Sequence, residues 1–233
     1  MVDLPQMQQK FEADCLKSSK ACMYMAARGI TPEMRLWWGL GYCKDWYEDD
    51  FKSLHKRLTF PIYDWRGRLL SFAGRTLKSG YSGAKYIGLS DSDLFKKSQQ
   101  VYGLNYAMPH IAKSRVVLVV EGYTDVLGVS DYSGVKNVVG SMGVALTMRQ
   151  VLLLSRWAKL IIVVLDGDAA GARATERLQT KLADSPIEIK YVSLPIDCDP
   201  FDMSKEMGLS FALWLKANVS GQMRFHVSGK ATA

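Results

Sequence analysis

Val116-Val117-Leu118-Val119-Val120-Glu121-Gly122-Tyr123-Thr124-Asp125 and, further along, Leu160-Ile161-Ile162-Val163-Val164-Leu165-Asp166-Gly167-Asp168 decide the fold of this chain. Each begins as a short, continuous apolar run rich in valine and isoleucine, the pattern of a strand buried on both faces. Each ends abruptly in carboxylates, and a helix-like segment follows. Strand, helix and strand in that order form a β-α-β unit, so the two strands run parallel. Open parallel sheets bind their ligands at the carboxyl ends of the strands. Glu121 and Asp166 stand at those ends. Asp125, four residues past Glu121, falls on the same side once the helix begins. Gly167 and Gly171 permit a tight turn around Asp168.

Acids gathered in this way repel one another and raise their own pKa values. A hard divalent cation relieves the repulsion. Oxygen-only ligands favour Mg²⁺, with Mn²⁺ as the alternative, and Mg²⁺ serves phosphoryl transfer. A single Asp-Gly or Glu-Gly after a strand is usually a turn. Two acid-tipped strands within one β-α-β unit point instead to a site.

Working outward, residues 6–28 carry apolar positions at helical spacing. Thr31-Pro32-Glu33 predicts a second helix start, with Thr31 as cap and Pro32 in the first position. Met34, Leu36, Trp37 and Leu40 supply its apolar face, and the tryptophan pair is expected in the core. Trp46 and Tyr47 lead into an acidic surface patch at Glu48, Asp49 and Asp50. Leu58–Tyr63 and Leu69–Arg75 flank Asp64-Trp65-Arg66-Gly67-Arg68 and predict a β-hairpin, with Pro61 at an edge or bulge. Lys52, Lys56, Arg57, Arg66, Arg68, Arg75 and Lys78 cluster there, followed by Lys85-Tyr86 and Lys96-Lys97, with Tyr81 and Tyr102 interleaved. Basic residues among aromatics suit single-stranded nucleic acid, with charge along the phosphates and rings against the bases. Thr147-Met148-Arg149-Gln150 fits a capping box before the helix from Val151. Arg173 and Arg177 share a helix face, open to phosphate or to acid partners alike. Ile187–Val192 alternates as a further strand. Asp197, Asp199 and Asp202 are expected in a loop, with a short amphipathic helix over 207–215.

The 233 residues are 48% hydrophobic, enough for one compact domain or two small ones. A net charge of +7 leans towards an anionic partner. No stretch is long and apolar enough to span a membrane, and the glutamine-rich start is not a signal peptide. Four scattered cysteines without a C-x-x-C pair exclude a zinc site or a disulfide framework and fit a reduced, cytoplasmic setting. The division read from the sequence is an N-terminal helical segment (1–55), a basic α+β subdomain (56–113), an α/β catalytic domain (114–196) and a C-terminal acidic loop, helix and tail (197–233).

Glu121-Gly122-Tyr123-Thr124-Asp125, Gly140-Ser141-Met142-Gly143 and Asp166-Gly167-Asp168-Ala169-Ala170-Gly171 together resemble the TOPRIM domain of DnaG-type bacterial and phage primases. The resemblance runs from about Lys20 to Leu215. It takes in Tyr24–Ile30, Arg57–Ile62, Arg66-Gly67-Arg68, Ala73-Gly74-Arg75, Ala84-Lys85-Tyr86, Phe95-Lys96-Lys97 and Val101–Leu104. It implies a TOPRIM-type parallel sheet flanked by helices, preceded by a smaller α+β basic subdomain. It implies metal and catalytic roles for Glu121, Asp125, Asp166, Asp168 and Asp199. Template and nucleotide binding fall to Arg57, Arg75, Lys85 and Lys97, with Tyr86 and Tyr102 beside them.

The activity implied is synthesis of short RNA primers on single-stranded DNA from ribonucleoside triphosphates. A replicative helicase and a separate initiation factor are the implied partners. The extent resembles a polymerase core without zinc-binding or helicase-binding modules, of the kind a bacteriophage encodes. Three departures stand out: Phe201 intervenes before Asp202, Val144 follows Gly143 where Thr is common, and Gly88 replaces a frequent Asn. A TOPRIM nuclease and a non-catalytic DNA-binding subunit are the competing readings.

Overall fold

The computed structural model describes residues 3–219 apart from Trp46, Glu48, Val144 and Asp168, and leaves aside the side chains of residues 49, 169–172 and 174. The Asp168 ligand, most of the acidic patch at 46–49 and the Val144 departure therefore lie outside the described residues. The chain forms two compact units, one up to Phe95 and one from Lys96 onward.

The first unit opens with α1 (Leu4–Lys17) and α2 (Ser19–Arg28) where one continuous helix was expected. Ser18 divides them: its backbone is extended, and its hydroxyl accepts the Ala21 N–H that begins α2. Gly29 closes α2 in the left-handed conformation, and α3 (Pro32–Trp37) starts with Thr31 accepting the Met34 N–H, as the sequence predicts. The tryptophan pair splits. Trp38 is buried, whereas Trp37 is 62% exposed. Trp38 follows α3 and turns inward with Met34, and the neighbouring side chain necessarily points away.

β1 (Gly41–Tyr42), β2 (Arg57–Tyr63), β3 (Leu69–Thr76) and β4 (Tyr86–Gly88) form an antiparallel sheet in sequential order. β1 pairs only with Leu58 and Thr59, so it has ended before Pro61. The ladder shifts at Ile62/Tyr63 just beyond. Pro61 thus meets the edge-or-bulge condition inside an otherwise central strand. The hairpin turn is locked by Asp64, whose carboxylate accepts the N–H groups of Arg66 and Arg68 and pairs with the Arg68 guanidinium at 2.7 Å. Phe11, Phe51 and Phe72 meet edge to face beneath the sheet, at 5.2–6.0 Å between ring centres. Gly41 allows α1 this close, because a Cβ there would lie 2.5 Å from that of Phe11.

The second unit contains α4 (Leu104–Ser114), β5 (Val116–Val120), α5 (Tyr123–Tyr132), β6 (Val138–Gly140), α6 (Met148–Leu154), β7 (Leu160–Leu165), α7 (Ala169–Lys181), β8 (Glu188–Ser193), α8 (Pro200–Met207) and α9 (Ser210–Asn218). Its four strands are all parallel, in the order β6-β5-β7-β8. Every residue of β5 and β7 is buried, as their unbroken apolar runs require. The division between compact units differs from that read in the sequence: the N-terminal helices share a unit with the hairpin, and 96–113 goes with the parallel sheet. Hydrogen bonds bind that last segment. The Gln150 amide donates to the carbonyl of Gln100 (2.7 Å), and the Thr147 hydroxyl donates to that of Ser98 (2.6 Å). The Asp199 region is also more ordered than a loop. Pro200 takes the first position of α8, and Gly208 separates it from α9.

Candidate metal centre and basic surface

Glu121 and Asp166 leave the sheet at the ends of the adjacent strands β5 and β7, whose register pairs Val119 with Val163. The Glu121 backbone is gripped from the loop after β6. Gly143 N–H donates to the Glu121 carbonyl at 2.8 Å, and Ser141 N–H donates to that of Val120 at 2.9 Å. That loop is tight, with Met142 and Gly143 both at positive φ. It is tied down by Tyr102, which exchanges two backbone hydrogen bonds with Gly140. A cavity of about 180 Å³ opens beside Glu121, with Ser141, Leu165 and Arg177 in its wall.

Asp125 reaches back across the first turn of α5 and accepts the Gly122 N–H at 2.8 Å. Gly122 has no room for a side chain, because a Cβ would stand 2.6 Å from the Asp125 carboxylate. Burial raises the Asp125 pKa to about 7, with the charge of Asp199 the next contributor. The Gly122 N–H works against the rise, and Asp166 and Glu121 add to it. Three acids drawn from three separate stretches of sequence thus bear on Asp125 at the carboxyl edge of the sheet.

Two close approaches bring Asp199 there. Gly128, in the middle of α5, faces Phe201 of α8, and a Cβ on it would lie 2.6 Å from the ring. Gly167 lies against the 195–198 segment, donating to the Cys198 carbonyl and accepting the Asp197 N–H. A Cβ there would stand 1.7 Å from the Pro195 carbonyl oxygen. Gly167 therefore serves close packing, and its φ lies outside the left-handed region. Asp199 caps α8 by accepting the Asp202 N–H at 2.8 Å. The Phe201 insertion has a clear effect: its ring is buried against Gly128 and Tyr132, and Asp202 is left exposed.

Among the described residues, no three acidic, histidine or cysteine side chains stand close enough to form a ready metal cage. The donor set nevertheless fits a hard divalent cation. Its ligands are oxygens, their mutual repulsion is already expressed at Asp125, and Mg²⁺ commonly uses one or two carboxylates with water and phosphate completing the shell.

The basic residues divide between the units. In the first, Lys85 is exposed at the start of β4. Arg75 lies between the rings of Tyr24 and Tyr86, 5.4 and 5.0 Å from their centres, and donates to the Tyr86 hydroxyl at 2.6 Å. Two expected contact residues are corrected. Arg57 is 6% exposed, and its guanidinium donates to the carbonyls of Gly74, Ala84 and Lys85, so it braces the strand that presents Lys85. Tyr102 is 2% exposed and packs edge to face on Tyr123 at 4.9 Å, which leaves no face for a base. Lys97, partly buried, belongs to the second unit. Sequence reasoning missed Gly128 and Tyr24. Gly128 carried a weak signal as a lone glycine inside a helical pattern, and Tyr24 carried none.

This parallel sheet with acids at its carboxyl rim defines a Toprim-domain protein. Residues 115–193 match the Toprim domain, and residues 44–108 match the N-terminal domain of the DNA primase catalytic core. The chain is 30% identical to the DNA primase of Clostridium acetobutylicum, covering 91% of this chain and 39% of that protein. It superposes on the zinc-binding and RNA polymerase domains of the Aquifex aeolicus primase with a TM-score of 0.82, at 29% identity, over 91% of this chain and 59% of that one. It superposes on the RNA polymerase domain of Mycobacterium tuberculosis primase DnaG, solved in complex with double-stranded DNA, with a TM-score of 0.77, at 26% identity, over 91% and 78% of the two chains. The chain belongs to the DnaG-type primase family, and it spans less than half the length of the curated relatives it matches. No helix among the described residues is long and apolar enough to cross a membrane.

Proposed function

We propose that this chain is the catalytic core of a DNA primase, joining ribonucleoside triphosphates into short primers on a single-stranded DNA template. The observation that carries the reading is the gathering of Glu121, Asp125, Asp166 and Asp199 at one edge of a parallel sheet, where burial raises the Asp125 pKa to about 7 and the charges of the other three acids add to the rise. Supporting it are the two domain matches and relatives that are named DNA primases or were solved with DNA.

Mg²⁺ is the proposed ion, held by Asp166, Asp168 and Asp125 with Glu121 and Asp199 beside them. When bound, it supplies charge that neutralises the triphosphate and lowers the pKa of an attacking 3′-hydroxyl. Glu121 and Asp166, fixed to the ends of adjacent buried strands, hold their carboxylates in a set geometry, so little reorganisation accompanies the reaction. Glu121 either receives the hydroxyl proton or adds a ligand. Arg75 and Lys85 bind phosphates of template or nucleotide, Lys97 does the same from the second unit, and Tyr86 holds Arg75 in place. A replicative helicase and a separate initiation factor are the proposed partners.

The test is primer synthesis from ribonucleotides on single-stranded DNA with Mg²⁺, comparing wild type with Glu121→Gln and Asp166→Asn. Each variant should lose about a hundredfold or more in rate. Retained synthesis in both removes the acids from the chemistry, and DNA cleavage without nucleotides indicates a nuclease instead. Extension of a supplied primer without initiation would identify the need for an initiation factor.

A further inference from the structure

The amino-terminal edge of the parallel sheet carries a second concentration of charge, opposite in sign to the acidic rim. Lys113 lies in the last turn of α4, and Arg115 follows it just ahead of β5. Arg156 and Lys159 lie between α6 and β7. All four are exposed. Because β5 and β7 are neighbours, the two pairs come together: Lys159 N–H donates to the Arg115 carbonyl at 2.7 Å, and Val116 stands opposite Leu160. Strands of five and six residues separate this edge from the acidic rim, by roughly 15–20 Å. No acidic residue occurs between His110 and Val120 or between Gln150 and Leu165. On the flanks, Asp131 pairs with Lys136 and Glu188 with Lys190. Lys113, Arg115 and Lys159 form no ion pair with another described residue.

Local structure does not account for this charge. Cations suit the C-terminal ends of helices, and α4 and α6 both end here. Each end carries about half a negative charge, so together they balance about one of the four cations. Arg115 also sits in the left-handed region at φ 61°, where glycine would close α4 without strain. The backbone cost of an arginine there points to a task for its side chain. Exposed cations on an open edge suit an extended polyanion, since small anions are held in concavities. Single strands bind by stacking their bases on aromatic rings. The ring at hand, Trp157, is half-buried and has the Arg156 guanidinium over it at 5.1 Å. An acidic protein segment would seek apolar surface beside the charge, and residues 113–116 and 155–160 contribute no large exposed hydrophobic. A duplex keeps its bases inside and presents its phosphates. We propose that this edge grips the phosphate backbone of duplex DNA flanking the single-stranded template, through Lys113, Arg115, Arg156 and Lys159. This rests on the reading that the chain works on DNA, and adds to it a contact at the opposite edge of the sheet from the acids.

The experiment is fluorescence anisotropy of a labelled short blunt-ended duplex and, in parallel, of a labelled oligothymidylate. Both are titrated without nucleotides or metal, across a series of salt concentrations. Wild type is compared with an Arg115→Gly/Lys159→Gln variant. Glycine at 115 removes the cation and the strained φ together, so the melting temperature should equal or exceed that of wild type. A Lys205→Gln/Lys216→Gln variant, altered at exposed lysines of α8 and α9, removes as much charge and serves as the control. The edge variant should bind the duplex roughly tenfold more weakly, and its log K against log salt slope should be shallower by about two, since each phosphate contact on B-DNA contributes about 0.9. Its affinity for oligothymidylate should stay within about twofold of wild type, and the control should match wild type on both probes. Equal duplex affinity and slope in the edge variant and wild type, or an equal loss in the control, would overturn the edge while leaving template binding intact. An equal loss on oligothymidylate would place a single strand there and overturn the duplex assignment. Displacement of the labelled duplex by polyglutamate as readily as by unlabelled duplex would make an acidic protein the occupant and the duplex assignment wrong. Wild type that binds neither probe would overturn the DNA reading as well.

Discussion

Asp125 offers the most direct physical test of the acidic rim. Its pKa rises from an ordinary 3.8 to about 7, a change of about three units. Each unit corresponds to about 1.4 kcal/mol, so the ceiling on the associated free energy is about 4 kcal/mol. Because the folded value lies above the unfolded one, the folded state holds the proton more tightly. That stabilisation is complete below about pH 4, falls as pH rises through the folded pKa, and is gone above about pH 8. Metal-free protein should therefore melt at a lower temperature at alkaline pH than at mildly acidic pH.

Replacing Asp125 with Asn removes the charge and keeps the shape. The amide oxygen can still accept the Gly122 N–H, although that bond loses its charge assistance, at about 1 kcal/mol. The net result is a metal-free variant more stable than wild type by about 1–3 kcal/mol near pH 8, or a melting temperature higher by about 2–12 °C for a chain of this size. The advantage should shrink as pH falls below 7 and vanish by about pH 4. Divalent metal should reverse the order at alkaline pH, raising the wild-type melting temperature and leaving the variant nearly unchanged. The assay is differential scanning fluorimetry across pH, with a chelator and then with Mg²⁺. Wild-type stability that is flat in pH without metal, together with a variant that is the weaker protein at alkaline pH, would refute the coupling of the four acids.

Gly167→Ala should abolish primer synthesis and lower stability by about 2 kcal/mol or more, because its Cβ must displace the Pro195 carbonyl from 1.7 Å; thermal melting and the synthesis assay check it. Gly128→Val should push α8 from α5 and weaken metal-induced stabilisation through Asp199, while the antiparallel unit keeps its own unfolding transition. Arg57→Ala should cost about 1–3 kcal/mol, by removing a charged donor from the carbonyls of Gly74, Ala84 and Lys85, and should raise hydrogen exchange around β4. Lys85→Ala, by contrast, should leave melting unchanged and weaken DNA binding, a contrast that separates brace from contact.

How much of this was legible in the sequence depends on what kind of contact fixes each feature. β5 and β7 were readable because burial on both faces leaves an unbroken apolar run, and the acids that follow were placed by the strand ends alone. The Thr31 and Thr147 caps were readable because they are local hydrogen bonds three residues long. Arg57 and Tyr102 were misassigned because sequence shows charge and aromaticity without showing which way a side chain faces. Arg57 on β2 points inward to the carbonyls of its neighbours, and Tyr102 is drawn into the sheet by its bridge to Gly140. Pro200 was a legible helix start, overlooked because the aspartates around it resembled a loop. The long-range contacts of Gly128 and Gly167 leave almost no trace, since a glycine required by a distant neighbour looks like any other.

Those two glycines also set how Asp199 joins the acidic rim. Glu121 and Asp166 are attached directly to buried strands, but Asp199 arrives on a separate helix held by two sub-contact approaches. A rigid cage of all four acids would raise their repulsion further and stabilise the protonated, inactive state. Burial, with the neighbouring charges adding to it, instead leaves the Asp125 pKa at about 7, where a divalent ion carrying phosphate can displace the proton at little cost. The ordering of loading follows from this. Phosphate-free metal should bind weakly and release about half a proton at pH 7, rising towards one at pH 6, and nucleotide should tighten it. Calorimetric titration of Mg²⁺ in two buffers of different ionisation heat measures that proton directly. Tight metal binding with no proton released would mean that Asp125 is already ionised and that the acids do not share one field.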